Sequence, residues 1–405
     1  MNPFLQKILR YLLPFLLLGF LSVLLSAGIE IVDESALLKE RSNPVDDLFP
    51  CPRSIVPQVE FWKLIFSRYN SSQVLIHDAW QLDRIYEVVD FNEIAGGDTV
   101  NYYKKWKTVL AIRDQYISQL FFLYKKPNGT EKTGLSPVQK RLAALLADDN
   151  RPDKYKIAAE NVRIQFGLSD RFKRGIEILG KYRPYMADVF NKYQLPPELL
   201  VIPLYESSFV LRALSMVQAA GVWQFMPYTA QKYMTVNNLV DERYDPLIAT
   251  TGAAELLSFN YKQTKSWPLA ITSYNHGVGG MLNARKQLGT DDISAIIQNY
   301  QSPSFGFASR NFYPEFLAAL DCLKNMYDIY NNIEFESRWS FITVKLSRSA
   351  TLSSLASKLG LTIDVIYEYN PSLREPILQS AVPLWEGFEL RLPPELRDLL
   401  KKNKL

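Results

Sequence analysis

Residues 195–209 read Leu-Pro-Pro-Glu-Leu-Leu-Val-Ile-Pro-Leu-Tyr-Glu-Ser-Ser-Phe. Pro196, Pro197 and Glu198 mark a helix start, where proline gives up no hydrogen bond and an acid meets the positive helix end. The run that follows is apolar and carries the chain to Glu206. Working outward, helical spacing recurs at 171–194, 227–233, 246–264, 269–274 and 311–330, broken by glycine and proline. Almost no alternating pattern interrupts it, so residues 161–330 are expected to form an all-helical domain and the chain to be mainly α.

Before this domain, residues 57–160 also show helical apolar spacing, including Leu82, Ile85, Val88 and Val89, and are expected to be a helical extension. After Asn331-Asn332 the composition changes, and 331–340 is expected as a linker. Residues 341–393 then give strand, helix, helix, strand, a small βααβ module, followed by a charged tail at 394–405. Pro44, Pro50, Pro52 and Pro57 make 30–56 a linker expectation. Residues 1–29 have a basic start (Lys7, Arg10), an apolar run and small residues at Ser26–Gly28, as an export signal or an uncleaved anchor would.

The chain has 405 residues, 47% hydrophobic and 22% charged, with 46 basic and 42 acidic side chains. That length suggests more than one folding unit and the apolar fraction excludes a disordered or collagen-like chain. A net charge of +4 is too small to argue for nucleic acid, but suits an acidic polymer or an anionic membrane surface. Two cysteines (Cys51, Cys322) and two histidines (His77, His276) give neither a disulfide framework nor a metal-ligand set.

Three clusters carry candidate chemistry. Glu206, beside Tyr205 and Phe209, reads either as a poorly solvated carboxyl with a raised pKa, suited to general acid work, or as a helix-ending residue that points into water. Gly221-Val222-Trp223-Gln224-Phe225-Met226-Pro227 reads either as the wall of a sugar groove or as a core tryptophan beside a surface glutamine. Ser273-Tyr274-Asn275-His276-Gly277 offers a hydroxyl and glycine-permitted backbone, which any tight turn would also explain.

Taken in order, these clusters resemble the catalytic domain of the membrane-bound, D-type lytic murein transglycosylases. The matching runs are Tyr205–Phe209, Ala219–Pro227, Asp241–Pro246 and Tyr274–Gly277, with Arg163–Gly167, Arg171, Phe172 and Gly175 upstream. The resemblance implies a goose-lysozyme-like helical fold that cuts peptidoglycan glycan strands without metal or cofactor. It implies that Glu206 is the single catalytic acid and base, and that Gln224, Tyr274 and Asn275 shape the substrate site. Trp223, Phe225 and Met226 are carried with Gln224 as substrate-binding candidates. Such an enzyme leaves a 1,6-anhydro-muramoyl end; a lysozyme-type hydrolase of the same fold or a non-catalytic wall-binding scaffold are the alternatives.

Gln218 stands where relatives commonly have glycine, which matters if that position needs a positive φ. The Asp241–Pro246 run is expected to fix a loop through Arg243 rather than to supply a second acid. The 341–393 module resembles a LysM domain, although Arg348, Ser349 and Ala350 replace the usual Gly-Asp pair. It reads either as a glycan-holding module or as a stability cap without a ligand, and its removal is expected to weaken sacculus retention without destroying cleavage of soluble fragments. The partners expected are peptidoglycan strands, with membrane association through the N-terminal segment and no nucleic acid. The expected location is the periplasm or cell envelope.

Overall fold

The computed structural model describes residues 45–94, 102–125, 134–398 and 400. The expected export segment, 1–29, lies outside the described residues. The described residues from Leu48 onward form one compact unit. Among the described residues no helix is long and apolar enough to cross a membrane.

The fold is mainly helical, as the periodicity predicts, with one local correction. The 57–160 region contains α1 (Val56–Ser67), β1 (Gln73–Asp78), β2 (Ile85–Asp90), α2 (Tyr102–Lys125), α3 (Pro137–Leu145) and α4 (Lys154–Glu160), and β3 (Val162–Phe166) follows. The three strands form an antiparallel sheet in the order β2-β1-β3. The pairing of β1 with β2 shifts between Ile76 and His77, where Ile76 faces Glu87 but His77 faces Ile85. That bulge leaves Tyr86 as an extra residue. Tyr86 and Val89, three positions apart, therefore both bury, which imitates helical spacing.

The sheet packs Val74, Ile76 and Tyr86 against Val109, Tyr116 and Leu120 of α2. The extension is also joined to the helical domain. Phe66 of α1 stacks on Phe172 at 4.8 Å, and the Phe66 carbonyl accepts from the Tyr330 hydroxyl at 2.8 Å. The end of the expected 30–56 linker is equally tied, since Phe49 is buried against Phe316 and the Pro50 carbonyl accepts from Tyr313.

The helical domain continues through α5 (Ser169–Lys192), a 3-10 turn at Pro197–Val201, α6 (Ile202–Ser207), α7 (Pro227–Ala230) and α8 (Pro246–Thr264). It closes with α9 (Trp267–His276), α10 (Val278–Leu288), α11 (Ile293–Asn299), α12 (Phe307–Lys324) and α13 (Met326–Ile329). Helix α9 buries every residue from Trp267 to Ser273, which makes it the central helix of the bundle.

The C-terminal module contains β4 (Ile342–Lys345), α14 (Leu352–Leu359), α15 (Ile363–Tyr369), α16 (Glu375–Leu378) and β5 (Glu389–Leu392). Strands β4 and β5 pair antiparallel, with Ile342 opposite Leu392. The segment 331–340 is not a free linker. The amides of Glu336 and Trp339 donate to the carbonyls of Glu177 and Lys181 on α5, and the Trp339 side chain is buried. Trp339 fills the seam between α5 and the module, where it meets Tyr182 and Tyr369.

Candidate active site

The short helix α6 ends at Ser207 because Ser208 adopts a left-handed conformation (φ 50°) and its amide bonds back to Leu204 at 3.0 Å. This stop holds Glu206 at the helix end among aromatic rings. Tyr205 meets Phe312 edge-on at 5.2 Å, and Phe312 stacks on Tyr274 at 6.1 Å. No described side chain hydrogen-bonds the Glu206 carboxyl. Loss of water around it therefore acts unopposed and raises its pKa from the usual carboxylate range to about 8. Of the two readings open at Glu206, its half-buried position and this shift favour the poorly solvated carboxyl.

The Ala219–Pro227 loop lies against this helix. The Ser207 hydroxyl donates to the Val222 carbonyl at 2.9 Å, and the Tyr274 hydroxyl donates to the Trp223 carbonyl at 2.8 Å. Tyr274 thus fixes the loop's backbone instead of bonding Glu206 directly, although burial and the nearby Glu206 both push its pKa up. Ser208, Phe209, Gln218 and Gln224 all have positive φ, and strain of this kind concentrates at functional sites. Gln218, at φ 69°, does occupy a position that glycine would suit. Gly221 has no alternative, because a Cβ there would lie 1.8 Å from the Arg243 carbonyl oxygen.

The candidate substrate residues divide by burial. Trp223 and Phe225 are buried, at 0% and 2% exposure, and the Trp223 indole donates to Thr250 at 2.9 Å. They are core residues, which corrects their assignment as substrate contacts. Their rings instead support Tyr274, at 6.4 and 6.0 Å. Met226 is exposed, and Gln224 is half-buried with its amide donating to the Gly221 carbonyl. Asn275 is exposed and accepts from the Ser309 hydroxyl of α12 at 2.7 Å. His276 packs against Phe305 and under Gly280, a structural position.

The Asp241–Pro246 run secures the loop from behind. Arg243 forms a two-pronged pair with buried Asp241, at 2.9 and 2.8 Å, and donates to the carbonyls of Gln218 and Phe225 at 2.7 and 3.0 Å. Asp245 caps α8 through the amides of Leu247 and Ile248, and its other oxygen pairs with Arg391 of the module at 2.7 Å. Arg374, also from the module, reaches Asp241 at 3.3 Å. None of these acids is available for bond cleavage.

Sequence reasoning missed Glu315. It lies on α12, and burial together with the Glu206 carboxyl holds its pKa well above the carboxylate range, against the pull of Arg163. The Tyr205 hydroxyl, buried and without a hydrogen-bond partner, senses both acids. The signal was present in the sequence: Tyr313-Pro314-Glu315-Phe316-Leu317 sets an acid in an apolar helical stretch, as at Glu206.

Residues 186–297 match the family model described as the Transglycosylase SLT domain. The chain is 26% identical over 228 residues to membrane-bound lytic murein transglycosylase D of Escherichia coli strain K12, covering 55% of this chain and 50% of that protein. It is 32% identical over 105 residues to a putative tributyltin chloride resistance protein of an Alteromonas species, covering 25% of this chain and 51% of the relative. The chain thus spans about half the length of the curated relatives it matches. Among solved structures, the 70 kDa soluble lytic transglycosylase of Escherichia coli aligns over 58% of this chain and 36% of its own, with 18% identity and a TM-score of 0.31, a likeness too partial to carry an argument.

Proposed function

We propose that this chain, which carries a transglycosylase SLT domain, is a peptidoglycan lytic transglycosylase with Glu206 as its acid and then its base. The observation that carries the reading is the Glu206 carboxyl, which sits inside the matched segment, desolvated among aromatic rings and protonated near neutral pH. The relative named as a lytic murein transglycosylase supports the substrate class.

In this reading protonated Glu206 gives its proton to the glycosidic oxygen between muramoyl and glucosaminyl units. The bond to C1 breaks with assistance from the substrate's own N-acetyl group. The resulting Glu206 carboxylate then takes the proton of the muramoyl C6 hydroxyl, whose oxygen closes on C1. The product is a 1,6-anhydro end, and Glu206 is protonated again. Gln224, Met226 and Asn275 are the candidate groove contacts. Tyr274 acts as a positioning residue, since it holds the Trp223 carbonyl and the loop that follows.

Hydrolysis by two carboxylates needs the second one ionised as base or nucleophile. Glu315, the other acid at this site, has its pKa raised well above the carboxylate range by burial and by the Glu206 carboxylate, which disfavours that role. Digestion of purified sacculi in ¹⁸O-water decides between the two reactions. The lytic reading expects each cut to leave an unlabelled anhydro end, while a new reducing end at each cut would make the enzyme a hydrolase. We place the protein in the cell envelope on the same grounds, with the C-terminal module, where a third short helix (Glu375–Leu378) joins the two expected between its strands, as a second glycan contact.

A further inference from the structure

We propose that the cleft around Trp80 is a second carbohydrate site, which binds a β-1,4-linked N-acetylated amino-sugar strand outside the Glu206 site. The identity of the sugar rests on the function proposed above; the site itself rests on its own geometry. Three adjoining cavities, of about 410, 350 and 510 Å³, share Trp80 as a wall. None of the three is lined by Glu206, Gln224 or Tyr274.

Trp80 lies in the turn between β1 and β2 and is 47% exposed, unusual for so large an apolar ring. Its turn is nevertheless rigid. Buried Asp78 accepts from the amides of Trp80 and Gln81 at 2.8 and 2.9 Å, and from the Tyr86 hydroxyl at 3.1 Å. The Ala79 amide is bonded to the Asn161 carbonyl. The Arg310 guanidinium rests 4.3 Å from the Trp80 ring centre and is itself fixed by the carbonyls of Ile297 and Tyr300. A preorganised, solvent-facing indole is a surface on which a sugar ring can stack with little ordering cost.

Amides provide the rest of the lining: Gln58, Gln81, Gln298 and Gln301 border one or more of the cavities. A primary amide both donates and accepts, which matches hydroxyl and acetamido groups. The Gln58 side chain borders the first cavity, and its Oε1 atom has no hydrogen-bond partner. A phosphate-rich ligand fits less well. Arg84 and Arg151 at the rim are already paired with Asp148 and Asp149, at 2.6–3.3 Å. Helix α12 links the two sites, with Arg310 at the cleft and Glu315 five residues on beside Glu206. Two contacts on one strand would raise affinity for long glycans over short ones.

The test uses the full chain as Glu206→Gln, so that the probe survives, with chitohexaose titrated by calorimetry. Adding Trp80→Ala should weaken binding at one site by about tenfold or more, and adding Gln298→Ala, which leaves the indole in place, should weaken the same site. Isotherms of both double variants that overlay Glu206→Gln would overturn the proposal. Sacculus cleavage by the unmodified chain separates the two readings. Cleavage without Trp80-dependent binding refutes the cleft alone, whereas Trp80-dependent binding without cleavage sustains the cleft as a glycan site and refutes the assigned activity.

Discussion

At Glu206, desolvation that suits catalysis costs stability. The folded protein holds this proton up to about pH 8, while the unfolded chain releases it near the ordinary value of 4.5. Between those pH values the native state binds more protons than the unfolded state, so stability falls as pH rises. Glu206→Gln keeps the shape and cannot ionise. It should therefore be more stable than the parent by about 3–4 kcal/mol at pH 7–8, with the gain shrinking below about 1 kcal/mol by pH 5. Urea unfolding at the two pH values checks this; an equal midpoint difference at both would show that Glu206 is not desolvated. Glu206 was a candidate in the sequence because an acid follows an apolar helical run within an ordered set of motifs, although the run alone did not tell a poorly solvated carboxyl from one that points into water. The burial of Trp223 and Phe225 was not, since an aromatic residue beside a glutamine reads equally well as groove or core until its neighbours are known.

Among the elements, α5 and α6 approach each other closely at the site. Gly175 of α5 lies under the turn that ends α6, and a Cβ there would come within 2.8 Å of the Ser208 carbonyl oxygen. Backbone must move to accommodate it, so Gly175→Ala should cost about 1–3 kcal/mol and displace the segment that carries Glu206. Thermal unfolding and glycan cleavage should both decline; unchanged values would show that the approach is looser than described. The helices around this site follow the apolar spacing closely, with 246–264 read to the residue. The β1–β2 pair did not, because the bulge at Tyr86 turns strand alternation into a spacing of three. Pairing with β3, from across more than 70 residues, is also a long-range event that local periodicity does not report.

On the scale of the whole molecule, the C-terminal module belongs to the scaffold of the site. Arg391 and Arg374 reach Asp245 and Asp241, and Asp241 holds Arg243, which grips the carbonyls of Gln218 and Phe225. Removal of 341–405 would leave two buried carboxylates short of a cation each. These pairs argue against the expectation that the module is dispensable for cleavage, and we propose that cleavage depends on it. Arg391→Ala should destabilise the chain by about 3 kcal/mol and reduce cleavage of short soluble glycans as well as sacculi. A variant that loses only sacculus retention would return the module to a purely binding role. The boundary at Asn331-Asn332 was visible in composition, but the buried charge pairs across it were not, because each partner alone resembles a surface residue.

The central claim is that a half-buried, poorly solvated and protonated Glu206 delivers the proton that breaks the glycan, and a pH–rate profile of sacculus cleavage by the parent chain and by Glu206→Gln tests it most directly. The parent should keep its activity up to an alkaline limb near pH 8, and the variant should fall by about a hundredfold or more across the range. A variant within a few-fold of the parent, or a parent that loses activity already between pH 4 and 5, would contradict the account.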